Sequence, residues 1–331
     1  PTTSLSARET EKLFTIIEKL KNSGISMIYI SHILQDIYQL CDDIVILRDG
    51  EVVGKGAIQA ITVDQLIPLM VGRTMNRMYP DHDRSIGPLV LEVKGLSQEG
   101  IVNDINFEVR ASEVVGIFGL MGSGRSELAR ILFGLDRFEK GEILYKRATL
   151  KNSTPRANIS RGMAFLTENR REEGLLLEQS IEDNAALVAL PKFSIGWLKW
   201  IDRIRIKERT IQVTSAFRIF AVNTDKQAVK TLSGGNQQKV VIGKWVMNEP
   251  SIFILDEPTR GIDIGAKFDV YTIINQLAEK GTGVILISSE LEELMGMCDR
   301  ILVMNYGEIT AQMNKEQFDR EQILRHALGG A

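Results

Sequence analysis

The chain has 331 residues, of which 44% are hydrophobic and 25% are charged, with a formal net charge of −3. This composition is typical of globular proteins and excludes disordered, collagen-like and coiled-coil classes, while the length suggests about two domains. The lack of a basic excess argues weakly against a nucleic-acid-binding role. The apolar runs are far shorter than the roughly 20 residues of a membrane-spanning helix. No leader-like segment opens the chain and only two cysteines occur, so we expect a cytosolic protein that does not itself cross a bilayer.

The beginning of the chain predicts a helix followed by a strand. Apolar side chains recur at helical spacing over residues 9–20, and Gly24 ends that helix. Residues 25–30 form a short apolar, β-branched run that is typical of a buried strand. The same order recurs near the end of the chain, where a predicted helix is followed by Gly281 and by a strand over residues 284–287. Helices that alternate with continuous apolar strands predict an α/β fold with a parallel sheet covered on both faces.

The end of the chain repeats its beginning at a constant offset. Residues 28–44 align without a gap with residues 285–301, an offset of 257 that also pairs Cys41 with Cys298. A period of this length is too long for a solenoid repeat. The register therefore predicts two copies of one domain.

The repeat also predicts the domain organisation. Residue 1 already corresponds to residue 258, so we expect residues 1–74 to be the C-terminal remnant of a first domain. Residues 75–88 lie in a polar stretch bounded by glycine and proline, which suits a linker. Residues 89–331 are then one complete second domain.

A glycine-rich turn between a predicted strand and a predicted helix indicates a phosphate-binding loop. The strand over residues 114–118 is followed by a loop, and residues 127–133 favour a helix. The loop and the first helical residue are Gly119, Leu120, Met121, Gly122, Ser123, Gly124, Arg125, Ser126 and Glu127. Glycines let backbone N–H groups face phosphate oxygens, and the helix N-terminus adds positive potential. A tight structural turn is the alternative interpretation.

Two residues of this loop carry specific expectations. Ser126 would supply the hydroxyl that ligates Mg²⁺. Arg125 departs from the pattern GxxxxGK[ST], which has lysine there. Because the guanidinium fork is bulkier than an ammonium group, its close approach to the β- and γ-phosphates is in question.

A pair of carboxylates follows a second apolar strand. Residues 252–255 run into Asp256 and Glu257, which places both at the carboxyl end of a strand, where doubly wound sheets bind ligands. Asp256 would hold Mg²⁺, directly or through water, and Glu257 would orient and deprotonate an attacking water. A solvated acidic loop is the alternative.

A third motif precedes the carboxylates. Residues 232–239 read LSGGNQQK and open a predicted helix. With the phosphate loop and the carboxylates in the same order, this chain resembles the ATP-binding-cassette (ABC) ATPases. The resemblance implies an α/β, P-loop NTPase fold of the ABC type, with a parallel core sheet, an antiparallel β subdomain and a helical subdomain over about residues 170–245. It also implies that Ser233 and the N–H groups of Gly234 and Gly235 face the γ-phosphate bound by an opposite cassette, and Gln237 is assigned a nucleotide-binding position beside them.

Other positions are compared with the family pattern through the same resemblance. The histidine that contacts the γ-phosphate in this family corresponds to His32 in the first copy and to Ser289 in the second. Glu168 stands where a glutamine that senses Mg²⁺ and the membrane partner is expected. The adenine-stacking aromatic is absent near Gln98–Ile101. We therefore assign His32 and Glu257 catalytic roles and Glu168 and Ser289 nucleotide-binding positions.

Three strings make the resemblance more specific. GRSE in the loop, LSGGNQQK, and EPTRGIDIGAK after the carboxylates are similar to the second half of the tandem ATPases of bacterial monosaccharide importers, of the ribose, galactose, xylose and arabinose type. The resemblance implies an ATP- and Mg²⁺-dependent subunit on the cytoplasmic face of the membrane. It also implies permease subunits as partners and, indirectly, an extracytoplasmic sugar-binding protein.

Cassettes of this family pair head to tail, so each ATP lies between the phosphate loop of one and the signature of the other. This chain would then contain half of each site and hydrolyse ATP weakly alone. The substitutions at Arg125, Glu168 and Ser289 suggest that the site containing His32 is the main hydrolytic one. An importer ATPase for nucleosides or a signalling sugar, a non-transport ABC ATPase and a regulatory nucleotide-binding module stay open as alternatives.

Two stretches of the predicted helical subdomain allow more than one interpretation. Residues 190–201 contain two of the three tryptophans, which is consistent with permease docking or with an ordinary core. The basic run over residues 203–209 is typical of a solvated helix face, with attraction to a membrane surface as the alternative.

Overall fold

A computed structural model describes residues 7–31, 34–48, 50–62, 65–66, 69, 79–80, 84–150 and 153–330. The described residues form two compact units, one from residues 1–78 with residues 261–268, and the other from residues 79–260 with residues 269–331. Within the described ranges, none of the helices is both long enough and apolar enough to span a membrane.

The described helices and strands are, in chain order, α1 Ala7–Asn22, α2 Leu34–Leu40, β1 Asp43–Arg48, β2 Glu51–Ala57, β3 Leu89–Gln98, β4 Val102–Arg110, β5 Val114–Gly119, α3 Arg125–Phe133, β6 Lys140–Tyr145, β7 Ala148–Thr149, α4 Pro155–Arg161, β8 Met163–Leu166, α5 Ile181–Ala186, β9 Ser194–Ile195, β10 Trp200–Ile201, α6 Arg203–Ala216, α7 Gly234–Val246, β11 Ile252–Asp256, α8 Ile264–Glu279, β12 Gly283–Ile287, α9 Leu291–Met297, β13 Arg300–Asn305, β14 Glu308–Asn314 and α10 Arg320–Ala327.

A six-stranded sheet forms the centre of the second unit. Its strand order is β14-β13-β5-β12-β11-β8, and all neighbours are parallel except the antiparallel edge pair β13 and β14. Every residue of β5, β11 and β12 is buried. Strands covered on both faces need apolar side chains at all positions, which explains their continuous rather than alternating hydrophobic runs.

Two smaller parts complete the second unit. An antiparallel sheet has the order β4-β3-β6-β7. Between β8 and β11 the chain forms the helices α5, α6 and α7 and the short hairpin of β9 and β10. The predicted fold class, with a parallel core sheet, an antiparallel β subdomain and a helical subdomain, is confirmed.

The repeat in the sequence is also a repeat of secondary structure. The bounds of α8, α9, β13 and β14 each lie 257 residues after those of α1, α2, β1 and β2. The irregular register between Ile46 and Leu47 of the first hairpin recurs between Val303 and Met304 of the second. These four elements therefore have the same bounds in both copies of the repeat.

One predicted strand is wrong. Residues 25–30 form no strand, and the side chain of Ile28 is 93% exposed. Its counterpart β12 is buried because it is hydrogen-bonded to β5 on one side and to β11 on the other. In the described part of the first unit the strands are β1 and β2, which pair with each other. An apolar segment becomes a parallel strand only where neighbouring strands can satisfy its backbone.

The described residues of the predicted linker pack on the second unit. Arg84, whose side chain is 1% exposed, donates to Asn275 Oδ1 at 2.7 Å and forms an ion pair with Asp299 Oδ2 at 3.0 Å. The same carboxylate oxygen accepts the backbone N–H of Val114, the first residue of β5, at 2.8 Å. Arg84 thus connects the start of this unit to the sheet, and the boundary of the second domain at residue 89 stays a prediction.

We expect Arg84→Met to destabilise the protein by about 3 kcal/mol, because removing one partner leaves a partly buried carboxylate without its cation. Urea denaturation monitored by circular dichroism measures the change. Arg110→Met is the matched control, since Arg110 pairs with Glu108 where both side chains are more than 40% exposed. Such a surface pair contributes at most about 1 kcal/mol. Equal losses for the two variants would contradict the structural role of Arg84.

Candidate functional site

The carboxyl ends of three buried strands meet at one edge of the large sheet. β12 lies between β5 and β11, and all three run in the same direction. Asp256, the last residue of β11, is opposite Ile287, the last residue of β12. The glycine-rich loop follows β5 at the same edge, which is where parallel α/β sheets bind ligands. The predicted phosphate loop and carboxylates are therefore brought together.

Glycine is required at two positions of the loop by the surrounding backbone. A Cβ on Gly119 would lie 2.6 Å from the carbonyl oxygen of Met304, a contact that cannot be relieved by a side-chain movement. Gly124 has φ +93, and a Cβ there would lie 3.0 Å from the carbonyl oxygen of Ile101. The loop is consequently held close to the β3–β4 turn and to the end of β13 in a left-handed conformation that favours glycine.

The loop ends at a helix N-terminus without a side-chain cap. Gly124 is the N-cap of α3, so no side chain accepts the first N–H groups of the helix. The hydroxyl oxygen of Ser123 is buried and has no hydrogen-bond partner among the described residues. Leu120, Met121 and Glu127 are exposed beside these groups. Free N–H groups at a helix N-terminus form an anion-binding site, as the glycine pattern predicts.

Arg125 is directed into the site rather than into solvent. Its Nη1 donates to the backbone carbonyl of Ser288 at 2.9 Å and lies 3.9 Å from Glu257 Oε1, and both side chains are 12% exposed. Burial lowers the pKa of the guanidinium, and the charges of Glu257 and Asp256 oppose that effect. Arg125 therefore places a permanent positive charge next to both carboxylates.

Asp256 and Ser126 have the donor set that Mg²⁺ prefers. Asp256 is buried, accepts a hydrogen bond from the hydroxyl of Ser126, and keeps Oδ1 without a partner among the described residues. Burial raises the pKa of Asp256 to about 6, with the Ser126 hydrogen bond and Arg125 acting in the opposite direction. A hard cation bound by carboxylate and hydroxyl oxygens would relieve both the desolvation and the unpaired oxygen. These residues fit the predicted metal.

Glu257 is held in a strained backbone conformation. Its φ is +48, and its N–H donates to the carbonyl of Ile287 at 2.9 Å. The hydroxyl of Ser289 donates to Glu257 Oε2 at 3.2 Å. Burial raises the pKa of the carboxyl group, while Arg125 and Ser289 lower it. A desolvated carboxylate with a raised pKa is a better proton acceptor than an exposed one, which suits the predicted role of a general base.

The carboxylate of Glu168 forms an ion pair with a neighbouring arginine. It forms an ion pair with Arg260, two residues after Pro258, and Arg170 donates to the carbonyl oxygen of Arg260 at 2.8 Å. The segment after β8 is thus connected to the segment after β11. The sequence predicted a nucleotide-binding position at Glu168, and the structure adds a partner that the sequence analysis did not assign.

The signature segment begins α7 as predicted, and its members differ in exposure. Ser233 is the exposed N-cap, and Gly234 and Gly235 form the first turn. Gln237, however, is 2% exposed, and its amide nitrogen donates to the carbonyl of Leu232 at 3.1 Å. Its side chain holds the preceding loop through this hydrogen bond, and its predicted nucleotide-binding role stays a prediction. Within the described residues, no hydrogen bond or ion pair joins residues 233–237 to Arg125 or Glu257.

One predicted site residue is not described, and an aromatic residue outside the prediction lies near the phosphate loop. His32 lies outside the described residues. No aromatic occupies Gln98–Ile101, but Tyr306 is exposed on the β13–β14 turn, where the N–H of Gly307 donates to the carbonyl of Ser123 in the phosphate loop. The place of Tyr306 beside the loop depends on contacts between distant segments, so no local signal in the sequence indicates it.

The parallel sheet, the glycine loop and the paired carboxylates define a P-loop protein of the nucleotide-binding class. The family model described as "ABC transporter" matches residues 102–260. The "Ribose import ATP-binding protein RbsA" of Bacillus subtilis (strain 168) is 44% identical over 332 residues, which cover 100% of this chain and 66% of that protein. The protein of the same name from Bacillus licheniformis is 42% identical, with the same coverage. The chain belongs to the ATP-binding cassette family of ABC transporters.

A solved structure shows the same fold. The ADP conformation of an ATP-binding cassette of an ABC transporter superposes with a TM-score of 0.62 at 20% identity, covering 73% of this chain and 99% of that one. The chain spans about two thirds, 66%, of the length of the curated relatives that it matches.

A buried lysine connects the signature helix to the segment that follows Glu168. Lys244 of α7 is 6% exposed, and its Nζ donates to the carbonyl oxygen of Gly174 at 2.6 Å. Gly174 ends a single π-helical turn, Arg170–Gly174. Burial lowers the pKa of the Lys244 amine from 10.5 to about 8.

We expect this lysine to make stability depend on pH. In the window from about pH 8 to about pH 10.5 the unfolded chain binds more protons than the folded one, so the free energy of unfolding rises with pH; below about pH 8 the full cost of burying the charge is present. The rise relative to Lys244→Met is at most about 3 kcal/mol. Urea denaturation at a series of pH values measures it. Lys230→Met, at an exposed lysine, is the control, and a flat difference for Lys244→Met would contradict the burial effect.

Proposed function

We propose that this chain binds and hydrolyses ATP with Mg²⁺ and energises the import of ribose or another simple sugar through a membrane permease. The observation that carries the proposal is the convergence of the uncapped α3 N-terminus, Asp256 and Glu257 at one sheet edge. The similarity to relatives named for ribose import supports the substrate class. Nucleosides or a signalling sugar are alternatives for the transported solute, because the proposed site would bind nucleotide rather than solute.

The chemistry requires binding of an anion, orientation of a water and acceptance of a proton. The N–H groups of the phosphate loop and the guanidinium of Arg125 would bind phosphate oxygens. Ser126 and Asp256 would hold Mg²⁺, which when bound neutralises phosphate charge. Glu257 would accept the proton of the attacking water at its carboxylate, and Ser289 would orient that carboxylate through the hydrogen bond to Oε2.

We extend the proposal to the arrangement of the whole protein. Residues 1–74 are the end of a first cassette and residues 75–88 a linker, and the cassettes pair head to tail. Ser233, Gly234 and Gly235 then complete the site containing His32, whereas Arg125 belongs to the other site. The protein would act at the cytoplasmic face of the membrane, with permease subunits and, indirectly, an extracytoplasmic sugar-binding protein as partners. No nucleic-acid partner is proposed.

The two sites are expected to differ in turnover. In the site of the second cassette, Arg125 already contacts Glu257, and Ser289 replaces the histidine of the family pattern. We propose that the site containing His32 is the main hydrolytic one. A regulatory nucleotide-binding module without turnover is the second candidate for this half, and the same two observations favour it.

Measurements of nucleotide binding by this chain test the proposal that it binds ATP with Mg²⁺. We expect Ser126→Ala to weaken binding of ATP about tenfold in the presence of Mg²⁺, because a hard-cation ligand is lost, and to leave binding without Mg²⁺ nearly unchanged. Isothermal titration calorimetry measures both. Ser160→Ala is the matched control, because Ser160 is an exposed serine of α4 and lies outside the phosphate loop. No ATP binding by the unaltered chain would overturn the proposal.

ATPase and transport rates of the full-length protein, assembled with its permease, test whether the two ATP sites differ in turnover. His32→Ala and Ser289→Ala change corresponding positions of the two copies, so each is the control for the other. We expect His32→Ala to lower ATPase and transport rates about a hundredfold, and Ser289→Ala to change them less than about threefold. The reverse order, or near-complete loss with Glu257→Gln, would show that the Arg125 site dominates. This chain alone should hydrolyse ATP poorly, and a rate equal to that of the assembled protein would contradict the pairing.

A further inference from the structure

Two highly exposed tryptophans lie on one small hairpin. Strands β9 and β10 and the turn between them, residues 194–201, form what we call the tryptophan hairpin. The side chains of Trp197 and Trp200 are 90% and 71% exposed. The third tryptophan, Trp245, is buried in α7. The sequence of residues 190–201 is consistent either with a core segment or with a docking surface. The exposure of Trp197 and Trp200 excludes a core position for these two side chains.

The hairpin is an ordered element with a fixed base. Trp200 pairs with Ile195 and Ile201 with Ser194, and the N–H of Lys199 donates to the carbonyl of Gly196 at 3.2 Å across the turn. At the base, the N–H of Asp202 donates to the carbonyl of Phe193 at 2.8 Å, and the Phe193 ring is buried. The exposed aromatic tip is consequently held in place by the fold.

Apolar side chains occupy both faces of the tryptophan hairpin. Directly paired residues share a face, so Trp200 and Ile195 lie on one side and Ile201 on the other. Trp197 and Leu198 are the central residues of the turn, and all five of these side chains are exposed. A protruding tip with two apolar faces is best buried by a medium that surrounds it, whereas a flat protein surface would cover only one side.

The charges at the tip are positive and lack carboxylate partners. Residues 194–201 contain one lysine, Lys199, and no acidic residue, while Lys192 before the hairpin pairs with Glu249 Oε2 at 3.5 Å and Asp202 follows the hairpin. Among the described residues, Lys199 on the turn and Arg205 on the first turn of α6 form no ion pair. Farther along α6, Lys207 pairs with Asp225 and Arg209 with Glu249. Lys199 and Arg205 therefore place positive charge without an ion-pair partner at the end of the subdomain that carries the tryptophans.

We propose that the tryptophan hairpin inserts into the headgroup layer of an anionic phospholipid bilayer. Tryptophan prefers the membrane–water interface, where the ring is buried and its N–H stays hydrated. Lipid phosphates supply the anions that Lys199 and Arg205 lack. Three residues from base to tip extend about 10 Å, which matches the depth of interfacial insertion, about 5–10 Å. Lysine is depleted at protein–protein interfaces, so its place between two tryptophans favours lipid over a protein partner. This proposal does not depend on ATP hydrolysis.

Tryptophan fluorescence of the 331-residue chain tests the insertion directly. With phosphatidylglycerol vesicles we expect a blue shift of the emission and quenching by lipids brominated near the headgroup, and a much smaller response with phosphatidylcholine vesicles. Because Trp245 is buried, the change reports Trp197 and Trp200. The absence of both binding and quenching with phosphatidylglycerol overturns the proposal.

Variants distinguish membrane binding by the tryptophan hairpin from nonspecific hydrophobic adsorption of the chain. Trp197→Ser with Trp200→Ser is expected to weaken vesicle sedimentation at least about tenfold, and Lys199→Glu about fivefold or more. The matched control is Phe220→Ser with Val222→Ser, which removes an equally exposed apolar pair of the same subdomain and should leave binding unchanged. Unchanged circular dichroism shows that the variants fold. An equal loss of vesicle binding in the control variant, or full vesicle binding by the tryptophan variant, would overturn the proposal. So would a chain that does not bind vesicles but binds the permease in lipid-free detergent through Trp197 and Trp200.

Discussion

The common direction of β5, β12 and β11 is the constraint on which the rest of the site depends. Parallel strands place their carboxyl ends together, so the loop after Gly119, the carboxylates after Leu255 and the serines after Ile287 meet although they lie far apart in the chain. The strands can align in this way because each is buried on both faces and apolar at every position. Local contacts alone would not bring these residues together.

Burial at that edge creates an electrostatic balance among a few side chains. Asp256 and Glu257 are desolvated, which raises the pKa of both, and Arg125 supplies the opposing charge. The guanidinium in turn loses hydration and donates to the carbonyl of Ser288. A longer, planar cation in place of lysine can reach both Ser288 and Glu257. The substitution that departs from the family pattern is therefore also the one that connects the phosphate loop to the proposed base.

Segments around the site are joined by contacts that involve few residues. Arg260 pairs with Glu168, Thr259 donates to the buried carboxylate of Glu293 at 2.7 Å, and Lys244 connects α7 to Gly174. These contacts link the loop after β8 to α7 and the loop after β11 to α9. The two loops that border the site are therefore each held by a direct contact to a helix. The tryptophan hairpin lies in the same helical subdomain, so contact with a membrane would involve the element that carries the signature segment.

The sequence by itself determined the fold class, the 257-residue repeat and the chemistry of the phosphate loop and carboxylates, because apolar periodicity, glycine spacing and residue type are local properties. It did not determine whether residues 25–30 form a strand, since a strand needs neighbours that local sequence does not specify. The tertiary structure alone decided that Gln237 faces inward, that Glu168 pairs with Arg260, that Tyr306 lies beside the loop and that Trp197 is exposed. Each of these depends on contacts or burial between residues distant in the chain, and that is information which composition and spacing do not contain.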